Sequence, residues 1–198
     1  MGKLREVTVL LADLPVTLKT LHDCPSFPAP TEDADTFMGN ATLKALHYAH
    51  LARCWALADD SGLTVDALSG APGVHSARYA QDSVAPGDAA NNAKLILNLS
   101  AVPVENRVAR FHCAMVLAAP GRVLGSAIGA VEGIIVDDPR GDHGFGYDPH
   151  FFLPTYNKTM AQLPPDQKNL ISHRGIALRA IRPIIEDLLQ QPDEPKSP

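Results

Sequence analysis

Two aspartates stand side by side, Asp59 and Asp60, after the short apolar run Trp55–Ala58 and before Ser61 and Gly62. Carboxylates at the end of a buried strand are costly unless something positive meets them. A hard cation such as Mg2+ suits them, because it takes one or two carboxylates and leaves its other positions to phosphates and water. Successive strand side chains point to opposite faces, so one aspartate faces a cleft while the other supports the adjoining loop. Glu32, in the acidic loop upstream, is a third acid able to complete such a site. The same spacing also suits a turn with an aspartate cap, and by itself leaves both readings open.

Two further stretches carry polar or aromatic groups suited to a phosphorylated ligand. In GDHGFGYDP, Phe145 and Tyr147 lie among glycines, with Asp148 and Pro149 closing the turn. Glycines let backbone approach a ligand closely, and an aromatic face there can stack a nucleobase. An ordinary hairpin with core aromatics fits the same letters. In KNLISHRG, Lys168 offers a point charge suited to phosphate and Arg174 a planar fork of donors. Free N–H groups at the start of the helix that follows suit an anion or a carbonyl oxygen, although Ser172 as a plain cap explains the pattern too.

The elements that must position these residues alternate between helix and strand. Leu4, Val7, Leu10, Leu11 and Leu14 fall on one helical face of Lys3–Leu14. CPSFPAPTEDAD then reads as an irregular exposed loop. A second helix begins near Thr36, with Phe37, Ala41, Ala45 and Ala49 at helical spacing. Trp55–Ala58 is a short buried strand ended by the aspartate pair, and SGAPG is a turn. Asp88–Leu99 is helical, and Ala109–Ala118 and Val123–Val136 are strands. The last helix starts near Ser172 and turns Ala177, Ile181, Ile184, Ile185 and Leu188 inward, with Pro183 bending it or starting a new segment. Interleaved helices and strands predict an α/β fold.

The 198 residues fit one sizeable domain, assigned to residues 1–190 with a disordered tail over 191–198. A net charge of -5 argues against a general nucleic-acid binder, which needs a basic face. Cys24, Cys54 and Cys113 show no metal-type spacing and suggest a reducing compartment, hence a cytoplasmic protein. No signal peptide or apolar run of membrane-spanning length is evident, so no membrane association is expected.

Taken together, GKLRE (Gly2–Glu6), TF..NA.LKA (Thr36–Ala45), LADDSGLTVDALSGAPGVHSARYA, ARFHC (Ala109–Cys113), GFGYDP (Gly144–Pro149) and K..ISHRG..L resemble the inosine triphosphate pyrophosphatase family. Six motifs in the expected order cover nearly the whole chain. The resemblance implies an elongated α/β fold with a mixed β-sheet flanked by helices, two lobes around a central cleft, and a homodimer. It implies Mg2+-dependent hydrolysis of dITP, ITP or XTP to the nucleoside monophosphate and pyrophosphate. Carried over by position, Asp60 is general base and metal ligand, and Glu32 a further metal ligand. Ser61 touches substrate, and Lys3 and Lys168 hold phosphates. Phe145, Gly146, Tyr147 and Asp148 line the base pocket, and His173 with Arg174 reads the base.

The chain also departs from that pattern. Family members begin with a strand and a phosphate loop just before the GKLRE segment, whereas Met1 stands where that loop should end, so the first strand is expected to be missing. Gly39 occupies a position that is usually glutamate. Ala34 stands where glycine is common, and Ile176 follows SHRG where a polar residue is frequent. These departures motivate the competing expectation of a weakened or inactive nucleotide-binding homologue.

Overall fold

The structure, a computed structural model, describes residues 7, 8 and 10–191. Lys3, Leu4 and the tail beyond Gln191 therefore lie outside the described residues. Residues 7, 8 and 10 are helical, and Leu11 packs into the core at 4% exposure. The main elements follow as α1 (Phe37–Ala52), β1 (Ala56–Val65), α2 (Asp88–Asn98), β2 (Val108–Ala119), β3 (Arg122–Ile135), β4 (Phe151–Leu153), β5 (Lys158–Thr159), α3 (Pro165–Ile171) and α4 (His173–Gln190). This is the expected α/β architecture, a sheet flanked by helices.

The sheet runs in the order β1-β2-β3-β4-β5, and each pairing among the described residues is antiparallel rather than mixed. Long hairpins explain this: β2 and β3 are joined by the tight Pro120–Gly121 turn and paired along nearly their whole length. β1 is longer than its apolar run predicts. It continues through both aspartates to Val65, every residue from Ala56 onward facing one on β2. Asp59 and Asp60 thus lie in mid-strand, not at its end. Their low strand propensity is overridden by ten consecutive cross-strand pairs, since pairing and packing decide a strand more than intrinsic preference does.

The pleat sorts the core onto two faces. On one, Ala41, Ala45 and Ala49 of α1 pack on Ala114, Val116 and Ala118 of β2. Alanines four apart form a smooth stripe that lets the helix lie close to the sheet. On the other, Cys113, Met115 and Leu117 meet Ala177, Leu178, Ile181 and Ile185 of α4. Gly129 permits this approach: a Cβ there would stand 2.0 Å from the His173 carbonyl oxygen. α4 continues across Pro183 to Gln190, so no new segment starts there. A third cluster, around Leu63, Leu95, Phe111, Ile135 and Phe151, fills the end of the sheet beside α2.

Candidate active site

Three groups of side chains meet along β1 and the loop before β4. The first forms on the α1 face. Thr36 caps α1 by accepting the Gly39 N–H at 3.0 Å, and Asn40 Oδ1 takes the Ala34 N–H at 3.0 Å, tying the acidic loop to the helix. One turn on from Asn40, Lys44 donates to Asp60 Oδ1 at 2.8 Å and to Glu32 Oε2 at 3.0 Å. Asn40 Nδ2 adds a longer bond to Asp60 Oδ2 at 3.4 Å. The predicted pair Glu32 and Asp60 is thereby brought together, with a cation already between them.

Electrostatics at this point are finely set. Burial pushes the Asp60 carboxyl above the ordinary aspartate range, and the Lys44 hydrogen bond only partly opposes it. Burial draws the Lys44 ammonium down, but its bonds to Asp60 and Glu32 outweigh that and hold it above the usual lysine range. Asp60 is therefore a stronger base than a solvated aspartate, kept in place by a partner that stays charged.

The second group lies on the opposite face, as strand alternation requires. Asp59 Oδ2 accepts from Arg174 at 3.2 Å and from the Ser61 hydroxyl at 3.1 Å. Arg174, in the first turn of α4, is only 6% exposed, and Ser172 caps that turn by accepting the Gly175 N–H at 3.1 Å. Its neighbour His173 lies flat on Phe111, centroids 5.0 Å apart, and forms a wall of the core. The two aspartates thus divide the work: Asp60 faces the cation of α1, and Asp59 steers Arg174 and Ser61.

The third group is the glycine-aromatic loop. Phe145 is 59% exposed, whereas Tyr147 and Asp148 are buried at 4% and 3%. Tyr147 is turned into the core and donates its hydroxyl to the Ser76 carbonyl at 2.8 Å. Burial accordingly pushes its phenol well above the tyrosine range. Of the two aromatics read as stacking faces, Phe145 alone presents its ring outward. Asp148 accepts the Phe145 N–H at 2.9 Å and an ion pair from Lys168, whose ammonium sits 5.2 Å from the Phe145 ring centroid. Gly144 is required here: its φ is +90°, and a Cβ would come within 2.1 Å of Asp148 Oδ2. Lys168 therefore stands at the aromatic loop, against Asp148 and the Phe145 ring.

Sequence reasoning missed the roles of Asn40 and Lys44, although both lie in the TF..NA.LKA stretch. The legible signal was a polar pair four residues apart, flanking a stripe of alanines. Two departures from the family pattern also prove to be neighbours. A Cβ at Gly39 would fall 2.6 Å from the Ala34 Cβ, so the methyl at 34 fills the room that a side chain at 39 needs.

Comparison with known proteins decides the family: the sequence model of the Ham1 family matches residues 1–184. The chain belongs to the Ham1 family. A Geobacter sulfurreducens protein named dITP/XTP pyrophosphatase is 50% identical over 181 residues, 91% of this chain and 90% of its own. A Geobacillus kaustophilus protein of the same name is 50% identical over 177 residues, covering 89% and 86%. The Ham1 fold is also seen in solved structures. The HAM1 protein of Coxiella burnetii superimposes with a TM-score of 0.84 at 40% identity over 93% of both chains. The Staphylococcus aureus Ham1 protein gives 0.83 at 38% identity over 95% of both.

Proposed function

We propose that this Ham1-family protein is a nucleoside triphosphate pyrophosphatase that clears non-standard purine nucleotides, converting dITP, ITP or XTP and water to the nucleoside monophosphate and pyrophosphate. The observation that carries the reading is the convergence of Glu32 and Asp60 on a single cationic point, the Lys44 ammonium. The names of its half-identical relatives agree.

Glu32 and Asp60 each give one oxygen to Lys44 and keep a second carboxylate oxygen, a hard donor of the kind a divalent ion takes. Among the described residues no group of three or more His, Cys, Asp or Glu is placed to hold a metal; an ion held by two carboxylates would take its remaining ligands from phosphate and water. Glu32 and Asp60 are the residues that would hold Mg2+, which when bound neutralises charge on the phosphate oxygens. Asp60, its basicity raised by burial, accepts the proton of the attacking water. Lys44 keeps both carboxylates aimed. Water oxygen bonds to phosphorus, the anhydride P–O bond between the α and β phosphates breaks, and pyrophosphate departs with the bonding pair.

At the other end, Phe145 supplies a stacking face and Lys168 a donor. Hypoxanthine and xanthine carry an acceptor oxygen at C6 where adenine carries an amino donor. Facing Lys168 or Arg174, adenine leaves donors opposed and unpaired, a costly arrangement when buried. A homodimer would give cover to Ile128, an apolar side chain 62% exposed on β3. Cys24 and Cys54, which form no disulfide among the described residues, support a reducing, cytoplasmic setting. No helix among the described residues is long and apolar enough to cross a membrane.

The test is pyrophosphate release from dITP and dATP with Mg2+ and with excess chelator. Release from dITP should exceed that from dATP by at least tenfold and vanish with chelator. Tight dITP binding without turnover would instead establish an inactive nucleotide-binding homologue.

A further inference from the structure

The aromatic loop needs a rigid backbone if Phe145 is to stack a base, yet its tip is a Gly-Phe-Gly sequence with Gly146 in the left-handed region at φ +61°. The polar groups of Gly146 are both captured by one helix. Its N–H donates to Asp88 Oδ2 at 2.7 Å, and its carbonyl accepts from Asn92 Nδ2 at 3.0 Å. Asp88 and Asn92 are four residues apart on α2, hence one turn apart on the same face. The helix thus acts as a template for the two peptide groups that flank Gly146. Next along the loop, Tyr147 is fixed to the Ser76 carbonyl.

Asn92 shows that this clamp is not simply a stabilising contact. Its Oδ1 is buried and has no hydrogen-bond partner among the described residues. A buried acceptor without a partner is a cost to folding, and a side chain chosen for stability alone would avoid it. What Asn92 does contribute is the donor to Gly146. Asp88 is exposed and sits in the first turn of α2, where its carboxylate also complements the helix end.

We propose that Asp88 and Asn92 are positioning residues for base recognition, acting through Gly146 to hold Phe145 in its stacking orientation. The inference rests on the proposed function and adds a specificity device remote from the Asp60 chemistry. Because the base is far from the reacting phosphorus in bonding terms, loss of the clamp weakens binding more than it slows bond cleavage.

The variants are Asn92→Ala, Asp88→Ala and the conservative Asp88→Asn, whose side-chain oxygen can still accept the Gly146 N–H. Each is made in the full chain and measured for dITP and dATP kinetics, thermal midpoint and amide hydrogen exchange over residues 144–148. Asn92→Ala should raise the dITP KM about five- to tenfold with kcat within about twofold, and lower the dITP-over-dATP preference. Its thermal midpoint should change little, because the unpaired Asn92 acceptor is gone while the Gly146 carbonyl loses its donor. Asp88→Ala should raise KM similarly, Asp88→Asn should restore most of it, and Gly146 exchange should quicken only in the alanine variants. A dITP KM and loop protection unchanged in both alanine variants overturn the clamp. A wild type that fails to turn over dITP defeats the proposed function instead, and the exchange rates together with dITP binding by calorimetry still decide the clamp.

Discussion

The α1–β1 end of the site and the aromatic-loop end are built on different principles. At the first, chemistry sits on regular elements: Asn40 and Lys44 repeat at one helical turn, and Asp59 and Asp60 alternate across a strand. Side chains there hold one another through the Lys44 ion pairs. At the second, the working surface is a loop, and what is held is mostly backbone: Gly146 by α2 and the Phe145 N–H by Asp148, with the Tyr147 hydroxyl anchored on the Ser76 carbonyl. Reactive groups need fixed charge and direction, which regular elements supply. A stacking face needs only a fixed peptide path, which hydrogen bonds around glycine supply.

Substitutions at the first end should therefore act on rate, and those at the second on selectivity. The largest effect is expected from Asp60→Asn, which removes the base but keeps the shape. Turnover of dITP should fall about 10²–10⁴-fold, while the amide oxygen can still accept from Lys44 and keep the fold. A variant retaining more than a tenth of wild-type kcat would remove Asp60 from the base role. Lys44→Ala comes next. It strips a charged partner from Glu32 and Asp60 at once and should cost about 1.5–3 kcal/mol in urea unfolding as well as rate. If stability fell while kcat held, Lys44 would be a structural brace only.

Lys168→Met sharpens the contrast from the other side. It should lower the dITP-over-dATP ratio of kcat/KM while sparing activity on dATP, read by parallel kinetics on the two substrates. An equal loss on both would place Lys168 at the phosphates after all. A smaller effect is expected from restoring a side chain at 39. Gly39→Glu alone should destabilise the start of α1 by about 1–3 kcal/mol through overpacking against Ala34, and adding Ala34→Gly should recover most of it. A double-mutant cycle in urea checks this, and additive losses would show that the two sites are independent.

The smallest effect concerns His112, which stacks on Phe37 and shares a 2.9 Å hydrogen bond with Thr64. Burial, with Arg110 nearby, lowers its pKa from the ordinary histidine value. The folded protein therefore disfavours the charged ring, and the unfolded chain binds the proton first. The contribution is fully present above the unfolded pKa of about 6.5 and is lost as pH falls through the lowered folded value. His112→Gln should flatten the dependence of stability on pH between about 7 and 5, and an unchanged slope would assign it to other groups.

Much of this was legible in the letters because it depends on local periodicity. The Thr36 and Ser172 caps, the alanine stripe of α1, the long β2–β3 hairpin and the inward face of α4 all follow from spacing of neighbours. The opposite orientations of Asp59 and Asp60 follow from the pleat alone. Other assignments failed where a distant partner decided the outcome. Asp-Asp-Ser-Gly reads locally as a turn that would end β1 at Ala58, and only pairing with β2 carries the strand to Val65. Phe145 and Tyr147 are chemically similar and two residues apart, so nothing local says which one the Ser76 carbonyl pulls inward.

By itself the sequence determined the order of helices and strands, the family, and the acidic, lysine and arginine groups available for chemistry. Those follow from short-range geometry and residue type. Tertiary structure alone decided that Lys44 joins Glu32 to Asp60, that Lys168 sits under Phe145, and that α2 grips Gly146. Each of these joins residues from separate elements. Hydrogen bonds and ion pairs act over a few ångströms in space, and chain spacing carries no record of that distance until the sheet has brought its helices and loops together.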